Sequence, residues 1–600
     1  MLNLLQSFLS ERTFQVSIGG HTSQEYLLEN GVPQGSVLSV TLFLIAMQPI
    51  FRVLPAGVEI LLYADDILLV VRRAKEEGLH RRLQTAVKAV NKWAKSVGFS
   101  ISATKSQTFY CSPNARREPA KEITIEQIPV PKTNLLRILG VTLDRTLTFK
   151  PHCKAVKKSC DSRLRILQII GAKLPRGNRA TLLQVGSALV TAKLMYGIGL
   201  VSRGGPETLQ TLAPAYNKMV RYASGAFVTS PINSIMAEAG TLPFGLLVTQ
   251  SVARTAIRIM TKCSNNSTLP LIRRASDRLG EITGTTLPAI DQLARQSDRV
   301  WHARRPSIVW DVKNCVRAGA PPNRAIPVVQ ELLSTRFRSS TVIYTDGSKS
   351  DDTVGAAFHT TGLAGSFSLP QACSVFSAEA YAIKKAVLTP NTDGEIIILT
   401  DSASCLLALE SGTSKHPWIQ EIENLVHNKL IRFCWIPGHA GISGNTEADR
   451  LANEARRQPA IDMPIPGEDA LRAMKQAIRW RWNRQWHDSR DEKLREIKND
   501  TLRWMDQSSP ADQRALTRLR IGHTRLTHTF LLKKDPPPTC ECCGTIVDVR
   551  HIILHCQKYK QQRQDNDINT TSLRAALGNA DEATKRLLLF LQQTNLSKQL

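Results

Sequence analysis

The sequence contains no apolar stretch long enough to cross a bilayer. Its most apolar run, residues 37–47, is far shorter than the roughly 20 residues that a membrane-spanning helix needs. The N-terminus has no basic leader, and Glu11 and Arg12 follow soon after the first apolar residues, which is not typical of a signal peptide. There is also no internal repeat and no low-complexity tract. These absences argue against a membrane protein, a secreted protein and a repeat protein.

Cysteine is sparse as well. The 12 cysteines are thinly scattered, except near the C-terminus. This pattern argues against a secreted disulfide scaffold and indicates a reducing compartment. We therefore expect an intracellular protein, in the cytoplasm, the nucleus or both.

Acidic residues are too few to balance the basic ones. Asp and Glu number 51 against 78 Lys and Arg, which leaves a net charge of +27. A surplus of this size favours a polyanionic partner, bound in a salt-dependent way, and makes nucleic acid the first candidate. The alternative is a protein that is merely basic. The apolar fraction of 42% is ample for real cores, and the length suggests roughly three to five domains.

Four acids between residues 341 and 455 lie at or near the ends of predicted elements. Asp346 and Asp401 each end a short apolar run typical of a strand in a sheet that is covered on both faces, whereas Glu379 and Asp449 lie on helices. Carboxylates suit hard divalent cations, and two such ions can catalyse an in-line phosphoryl displacement. His439, in a Gly-rich loop before the last helix, can move a proton. The alternative is that each acid is a solvated cap or turn residue.

Both helices have predicted starts. Residues 375–388 show helical spacing after Ser374, which is a plausible N-cap. Asn445 or Thr446 is expected to open the other helix. Asp449 would then fall in its first turn, where the positive end of the helix dipole favours an ionised carboxylate.

The segments TDGS, SAEA, TDS and PGHAGISGNTEAD follow one another in the order found in ribonuclease H, and residues 341–455 resemble that domain. The resemblance implies that Asp346, Glu379, Asp401 and Asp449 bind two Mg²⁺ ions and that His439 is an auxiliary base. It also implies cleavage of the RNA strand of an RNA–DNA hybrid.

A second pair of acids lies near the N-terminus. Residues 59–71 predict two apolar strands around a tight turn that carries Asp65 and Asp66. Paired acids there are costly unless they are solvated or bound to metal, and a plain Asp-rich turn is the alternative. With the loop Pro33-Gln34-Gly35 before it, this stretch resembles the palm of a reverse transcriptase. The resemblance implies that Asp65 is a metal ligand and that Asp66 supports it.

Residues 1–64 contain no Asp at all. The palm resemblance calls for a third carboxylate, on a strand before the Pro33-Gln34-Gly35 loop. We expect that strand and the fingers to lie before Met1. We therefore expect that the chain does not extend a primer by itself.

Residues 470–499 favour a helix in which Arg479, Arg481 and Arg484 lie beside tryptophans. Basic and aromatic residues together can bind phosphates and stack on bases. The slightly preferred alternative is an amphipathic helix that buries its tryptophans.

A zinc site is predicted near the C-terminus. Its four ligands are Cys540, Cys543, His551 and Cys556. The spacing is that of a four-ligand site, and it resembles the CCHC knuckle of jockey-like retrotransposon proteins. His555 in place of Cys556, or Cys542 in place of a neighbour, are alternative ligands, and cysteines without metal are a further alternative.

The whole chain is expected to be a multidomain α/β protein that resembles the C-terminal part of a LINE-type (non-LTR) retrotransposon polyprotein. The predicted domains are a partial reverse-transcriptase palm (1–150), a helical thumb and connection (151–336), a ribonuclease H domain (337–460), a basic helical segment (461–535), a zinc knuckle (536–560) and a helical tail (561–600).

Three functions remain as hypotheses. The first is Mg²⁺-dependent hydrolysis of RNA in RNA–DNA hybrids. The second is an RNA-directed DNA polymerase fragment that is inactive or needs upstream sequence, and the third is a degenerate nucleic-acid-binding protein without catalysis. The implied partners are an RNA–DNA hybrid and an RNA template, with no membrane.

Overall fold

The structure is a computed structural model, and the chain divides into two compact units, Met1–His152 and Cys153–Leu600. Helices and a mixed sheet together give the predicted multidomain α/β class. The described residues are 2–72, 76–112, 121–173, 179–262, 293–296, 305–315, 324–389, 394–427, 429–489, 492–507 and 509–600.

The first unit combines short strand pairs with helices. Its helices are α1 (Leu2–Leu9), α2 (Val37–Met47) and α3 (Glu76–Ser96), with a 3₁₀ turn at Gln48–Arg52. Its strands are β1 (Thr13–Phe14), β2 (Ser17–Ile18), β3 (His21–Thr22), β4 (Tyr26–Leu27), β5 (Val58–Tyr63), β6 (Asp66–Val71), β7 (Thr108–Phe109), β8 (Thr124–Ile125), β9 (Ile128–Pro129), β10 (Lys132–Thr133), β11 (Leu135–Ile138) and β12 (Val141–Asp144). They form six pairs: β1 with β4, β2 with β3, β5 with β6, β7 with β10, β8 with β9 and β11 with β12.

The predicted hairpin is formed by β5 and β6, which pair antiparallel along their full length and close with Tyr63 opposite Asp66. Alternate residues of β5 are half-buried, and they face a core that includes Ile50 and Trp93. Since the side chains of a strand alternate between its faces, this burial fixes the register. The turn residues Ala64 and Asp65 are left exposed at the tip.

The second unit begins with a helical region. Its helices are α4 (Lys150–Lys173, which starts at the unit boundary), α5 (Arg179–Gly186), α6 (Ala192–Met195), α7 (Ile198–Val201), α8 (Pro206–Gln210), α9 (Ala213–Ser224), α10 (Ile232–Ala239) and α11 (Phe244–Lys262). A π-helical stretch, Ser187–Thr191, joins α5 to α6, and a 3₁₀ turn, Ser202–Gly204, follows α7.

A six-stranded mixed sheet follows, in the order β13-β18-β17-β14-β15-β16. Its strands are β13 (Ser307–Val309), β14 (Thr341–Ser350), β15 (Thr353–Thr360), β16 (Leu363–Leu369), β17 (Ile396–Thr400) and β18 (Ile431–Trp435). The helices of this region are α12 (Asp311–Cys315), α13 (Ala325–Thr335), α14 (Val375–Val387), α15 (Ala403–Ser411), α16 (Pro417–Val426) and α17 (Ser443–Ala455). The first four strands in this order are parallel, and β14, β15 and β16 are antiparallel.

Strand β17 is buried along its whole length. Ile396 and Ile398 face one apolar cluster, and Ile397 and Leu399 face another on the opposite side. A continuous apolar run is what a strand covered on both faces requires, so this prediction is confirmed.

The sheet region extends beyond the predicted boundaries of 337–460. Strand β13 and helix α13 come from residues assigned to the thumb and connection, yet β13 pairs with β18, and α13 packs on the sheet through Ala325 and Val329. Ile461 and Met463 also pack against the core. Of the predicted thumb and connection over 151–336, residues 174–178, 263–292, 297–304 and 316–323 lie outside the described residues.

The C-terminal region is helical. Its helices are α18 (Gly467–Asp488), α19 (Lys493–Ile497), α20 (Pro510–Ile521), α21 (Arg525–His528), α22 (Phe530–Lys533), α23 (Lys560–Asp565), α24 (Leu573–Leu577), α25 (Asp581–Gln593) and α26 (Leu596–Gln599), with a π-helical stretch at His551–His555 and a 3₁₀ turn at Gln557–Tyr559. The single helix predicted over 470–499 is therefore wrong, because α18 ends at Asp488 and α19 begins at Lys493. Trp482 and Trp486 are buried as the preferred alternative expected, but Trp480 is exposed.

Helix α18 is anchored in the sheet region at its first turn. Asp469 is buried there and accepts a hydrogen bond from the Ser377 hydroxyl of α14, and that same hydroxyl lies 3.0 Å from His416 Nε2. Buried polar groups are costly unless they are paired. Helix α14 and the start of α18 therefore belong to one folded structure.

Buried charges tie the helical region to the C-terminal region. Arg179 donates to Asp506 Oδ1 at 2.8 Å and to Glu238 Oε1 at 3.1 Å, and Arg520 Nη1 lies 3.5 Å from the same Glu238 oxygen. Removal of one partner would leave a buried charge without compensation.

In the part of the chain that the structure describes, no single helix has both the length and the apolar character to cross a membrane. One bent pair, Arg179–Met195 with Ile198–Gly204, meets those criteria by length and composition alone.

We predict that a fragment of residues 337–460 is less stable than one of residues 305–489. The shorter fragment lacks β13, α13 and the buried Asp469 contact, and exposes the apolar surface that they cover. Its thermal midpoint, followed by circular dichroism, should be at least about 5 °C lower. Asp469→Asn in the longer fragment isolates the contribution of that contact. Equal midpoints for the two fragments would contradict the extended boundaries.

Candidate active site and metal centre

The register of the sheet brings two of the predicted acids together. Strands β14 and β17 are parallel neighbours, and their last paired residues are Thr345 and Thr400. Asp346 and Asp401 are the next residues along the two strands, so they lie side by side at the edge where β17 ends, although β14 continues to Ser350 and pairs Asp346 with Ala357 of β15. Such an edge is a usual place for a ligand site in an α/β structure.

Glu379 reaches this edge from α14, which begins after Ser374, the predicted N-cap. The Ser374 hydroxyl accepts a hydrogen bond from the Ser377 backbone N–H. The helix crosses β14 at Gly347, where an added Cβ would lie 2.5 Å from the Glu379 backbone nitrogen. Only glycine permits so close an approach. Oxygen atoms of Asp346, Glu379 and Asp401 consequently lie within 4.8 Å of one another.

The three carboxylates are held where ionisation is unfavourable. Asp346 is 7% exposed and Glu379 is 6% exposed. Burial, followed by the charges of Asp401 and Asp449, raises the pKa of Asp346 to about 7. Burial and the neighbouring acids raise the pKa of Glu379 well above its usual range, and burial raises that of Asp401. A bound cation would reverse these shifts, since it favours the charged form.

Asp449 lies at the rim of this group. Helix α17 begins at Ser443, so Asp449 is in its second turn, and the predicted place in the first turn of a helix opened by Asn445 or Thr446 is wrong. The acid is held instead by Asn453, one turn later, whose side-chain amide donates to Asp449 Oδ1 at 2.7 Å. The proximity of Asp449 also contributes to the raised pKa of Asp346.

His439 lies in the loop before α17, with a positive φ of 53° and a side chain that is 87% exposed. Its Nδ1 is 3.8 Å from Asp449 Oδ2. The preceding residue, Gly438, allows the loop to approach Asp401, since a Cβ there would lie 2.5 Å from Asp401 Oδ2. The imidazole therefore reaches the site from the solvent side.

The hairpin acids of the first unit have a different environment. Asp65 and Asp66 are both exposed, and Ala64 takes a positive φ of 51° in the tight turn. Among the described residues, no third ligand completes a metal-binding group around them.

Near the C-terminus the structure brings together Cys540, Cys543, His551 and Cys556, whose ligand atoms lie within 4.8 Å of one another. The Cys540 and Cys556 sulfurs are 3.8 Å apart, and the cysteines are free. The nearby His551 side chain lowers the pKa of Cys540 to about 6, which favours the thiolate that metals bind. His555 and Cys542, the alternative ligands, are exposed and lie outside this group.

The orientation of His551 suits a metal ligand. Its Nδ1 lies 3.2 Å from the Thr545 hydroxyl, whereas its buried Nε2 has no hydrogen-bond partner. A ligating histidine usually engages its other ring nitrogen in this way. The Cys₃His cluster can therefore bind a metal ion, and its thiolate-rich donor set suits Zn²⁺.

Comparison with known proteins finds two family matches in this chain. The family of reverse transcriptases (RNA-dependent DNA polymerases) matches residues 2–143, and the RNase H family matches residues 338–457. The chain is 28% identical over 228 residues to a probable RNA-directed DNA polymerase from transposon X-element of Drosophila melanogaster, which covers 37% of this chain and 25% of the relative. It is 29% identical over 232 residues to the RNA-directed DNA polymerase from mobile element jockey of Drosophila funebris, which covers 38% and 25%. The resemblance to non-LTR retrotransposon proteins is confirmed.

A viral relative matches over a shorter stretch. The Pol polyprotein of equine infectious anemia virus (strain Wyoming) is 33% identical over 118 residues, which covers 19% of this chain and 10% of the polyprotein. The match spans about a quarter of the length of the transposon relatives named above. The two matched families, reverse transcriptase and RNase H, are both families of nucleic-acid-processing enzymes.

Sequence analysis missed several residues that shape the carboxylate site. Asn453 holds Asp449, Trp435 Nε1 donates to the Asp401 carbonyl at 3.1 Å, and Gly347 admits α14. The spacing of four residues between Asp449 and Asn453 was a signal for the first contact. The other two depend on the packing of separate elements, for which the sequence carries no local signal.

We predict that the protein binds about one zinc ion per chain, because so small a cysteine-rich loop has too little core to fold without metal. Elemental analysis of protein purified without chelator should show its loss in Cys540→Ser and in His551→Ala. Cys542→Ser and His555→Ala serve as matched controls, since both residues lie outside the cluster, and they should keep the metal. Zinc-free wild-type protein, or loss in the controls alone, would contradict the assignment.

Proposed function

We propose that the ribonuclease H region of this chain hydrolyses the RNA strand of RNA–DNA hybrids. The observation that carries the proposal is the group formed at one sheet edge by buried Asp346, buried Glu379 and half-buried Asp401. The buried Glu379 Oε2 has no hydrogen-bond partner, which is expected of an acid whose partner is a cation. The match of residues 338–457 to the RNase H family supports this reading.

The four acids have distinct roles in this proposal. Asp346, Glu379 and Asp401 would hold Mg²⁺, and Asp449 would complete the site from the rim. Two bound Mg²⁺ ions supply charge stabilisation for an in-line displacement at phosphorus. The chain itself fixes the positions of the oxygen ligands through the β14–β17 register and the Gly347 contact, so that little reorganisation is needed on binding.

His439 is suited to moving a proton between the site and solvent. Its imidazole is exposed and close to Asp449, so it can accept a proton from the attacking water or help products to leave. The histidine is not one of the carboxylate ligands, and its removal should therefore slow the reaction without abolishing it.

We predict that Asp401→Asn lowers the rate of hybrid cleavage by about 10³-fold or more, because it removes an anionic ligand from the metal site. The assay measures release of labelled RNA from a hybrid with and without Mg²⁺. His439→Ala should cost less. Asp351→Asn, exposed in the turn after β14, is the matched control and should act like wild type.

A second measurement separates chemistry from folding. In metal-free buffer at pH 8, Asp401→Asn should unfold at the wild-type temperature or above, since the change removes one of several buried like charges. Full activity in Asp401→Asn would contradict the site assignment. No cleavage by the wild-type chain would favour the hypothesis of a binding protein without catalysis.

A second candidate function is RNA-directed DNA polymerisation, favoured by the match of residues 2–143 to the reverse transcriptase family. We propose that Asp65 is the metal ligand of the β5–β6 hairpin and that Asp66 supports it. Two adjacent carboxylates leave octahedral Mg²⁺ short of anionic ligands, and the described residues supply no third one.

We therefore predict that the purified chain does not extend a primer annealed to an RNA template. Gel analysis with Mg²⁺ and all four deoxynucleotides should show the unextended primer, with an active reverse transcriptase as the positive control. Extension by the wild-type chain that is abolished by Asp65→Ala would contradict the prediction. Extension that survives Asp65→Ala would point to a contaminating enzyme.

A further inference from the structure

Helix α18 exposes one of its tryptophans. Trp480 is 62% exposed, whereas Trp482 is 3% exposed and Trp486 is fully buried. Burial of an indole ring strongly stabilises a fold because the ring has a large apolar area. An exposed tryptophan beside two buried ones is unusual, and the surface around it is therefore a candidate binding surface.

The residues around Trp480 are cationic. The Arg484 guanidinium lies over the indole ring, 5.5 Å from its centroid, and Arg479 is exposed beside it. Within the described residues, neither arginine forms an ion pair, whereas Arg472, two turns earlier, is paired with Asp469 at 3.3 Å. We call Arg479, Trp480 and Arg484 the Trp480 patch; it offers one aromatic face and two exposed positive charges.

The helix holds this patch on a rigid support. The opposite face of α18 is buried through Met474, Ile478, Trp482 and Trp486. The Trp486 indole N–H donates to the Lys498 carbonyl at 3.0 Å. At the start of the helix, an added Cβ on Gly467 would lie 2.6 Å from Thr261 of α11, so the two helices are in close contact there. A ring presented from such a support loses little entropy on binding.

We propose that the Trp480 patch binds single-stranded nucleic acid, with an unpaired base stacked on the indole ring and the flanking phosphates contacted by the two arginines. Base–aromatic stacking and a cationic surface are the two components of single-strand binding that is independent of sequence. The bases of a duplex are already stacked, so their faces are not available to the ring. The net charge of +27 favours this partner over a neutral or basic one.

A protein partner is a poorer fit for the same surface. The centre of a protein interface is depleted of charged residues and needs a broad apolar area. The Trp480 patch has one large apolar group, and its exposed neighbours one turn earlier, Lys475 and Gln476, are polar.

The direct test is photocrosslinking of the full chain to oligonucleotides of about ten nucleotides, within the usual range of single-strand site sizes. The probes are oligothymidylate and oligouridylate that contain 5-bromouracil, with zinc retained and no Mg²⁺ added. Peptide mapping should locate a crosslink within α18, and Trp480→Ala should abolish it. Dissociation constants from fluorescence anisotropy should rise at least about fivefold in that variant.

Three control variants make the result decisive. Trp480→Phe should restore most of the binding because it keeps an aromatic face, and Arg484→Gln should weaken binding and lower its salt dependence. Arg574→Gln makes the same charge change at an exposed position of α24 and should have little effect. An oligothymidylate–oligoadenylate duplex should be insensitive to Trp480→Ala.

Either of two results would overturn the proposal. The first is wild-type oligonucleotide binding by Trp480→Ala, with crosslinks only outside α18. The second is unchanged oligonucleotide binding together with loss of self-association in sedimentation, which would assign the Trp480 patch to a protein interface. Thermal unfolding identical to wild type is required of each variant, and Trp480→Phe decides the question if the alanine variant does not fold. Neither result depends on whether the nuclease is active.

Discussion

The nuclease region depends on holding like charges together out of water. Asp346 and Glu379 are buried, and their oxygens lie within 4.8 Å of each other and of Asp401. Because burial and the neighbouring acids raise the pKa of Asp346 to about 7, the folded metal-free chain binds protons that the unfolded chain has released. The stability of the metal-free fold therefore falls as pH rises from about 4 through 7. Bound cations would offset this loss of stability. The repulsion between the carboxylates that destabilises the metal-free fold therefore also favours metal binding.

The close approaches around the site are set by small residues. Gly347 lets α14 cross β14 beside Asp346, and Gly438 lets the His439 loop approach Asp401. An added Cβ on Gly444, near the start of α17, would lie 2.1 Å from the Tyr344 ring. Tyr344 is two residues before Asp346 on β14, so this contact fixes α17, and with it Asp449, against the strand that carries the first acid.

Much of this arrangement could be predicted because the signals are local. Apolar runs identify β14 and β17, and parallel neighbours must place the next residues at one edge. The start of α17 was misplaced because Ile442 offers no side-chain cap, whereas Asn445 and Thr446 are residues that often cap helices. The helix in fact begins at Ser443, and its next residue, Gly444, packs against the Tyr344 ring. No local sequence pattern reveals that contact. Strand β13 was missed since three residues at a sheet edge carry almost no periodic signal.

Helix α18 links the nuclease region to the rest of the second unit. At one end, Asp469 is buried against Ser377, two residues before Glu379 on the same helix; at the other, Trp486 packs beside the segment that carries Lys498. The buried Asp469 carboxylate is stable only while Ser377 stays in place to pair with it. A displacement of α18 would therefore break the Asp469–Ser377 hydrogen bond and disturb α14, which carries Glu379. The position of Trp480 relative to the carboxylates is fixed by the same contacts that complete the nuclease core.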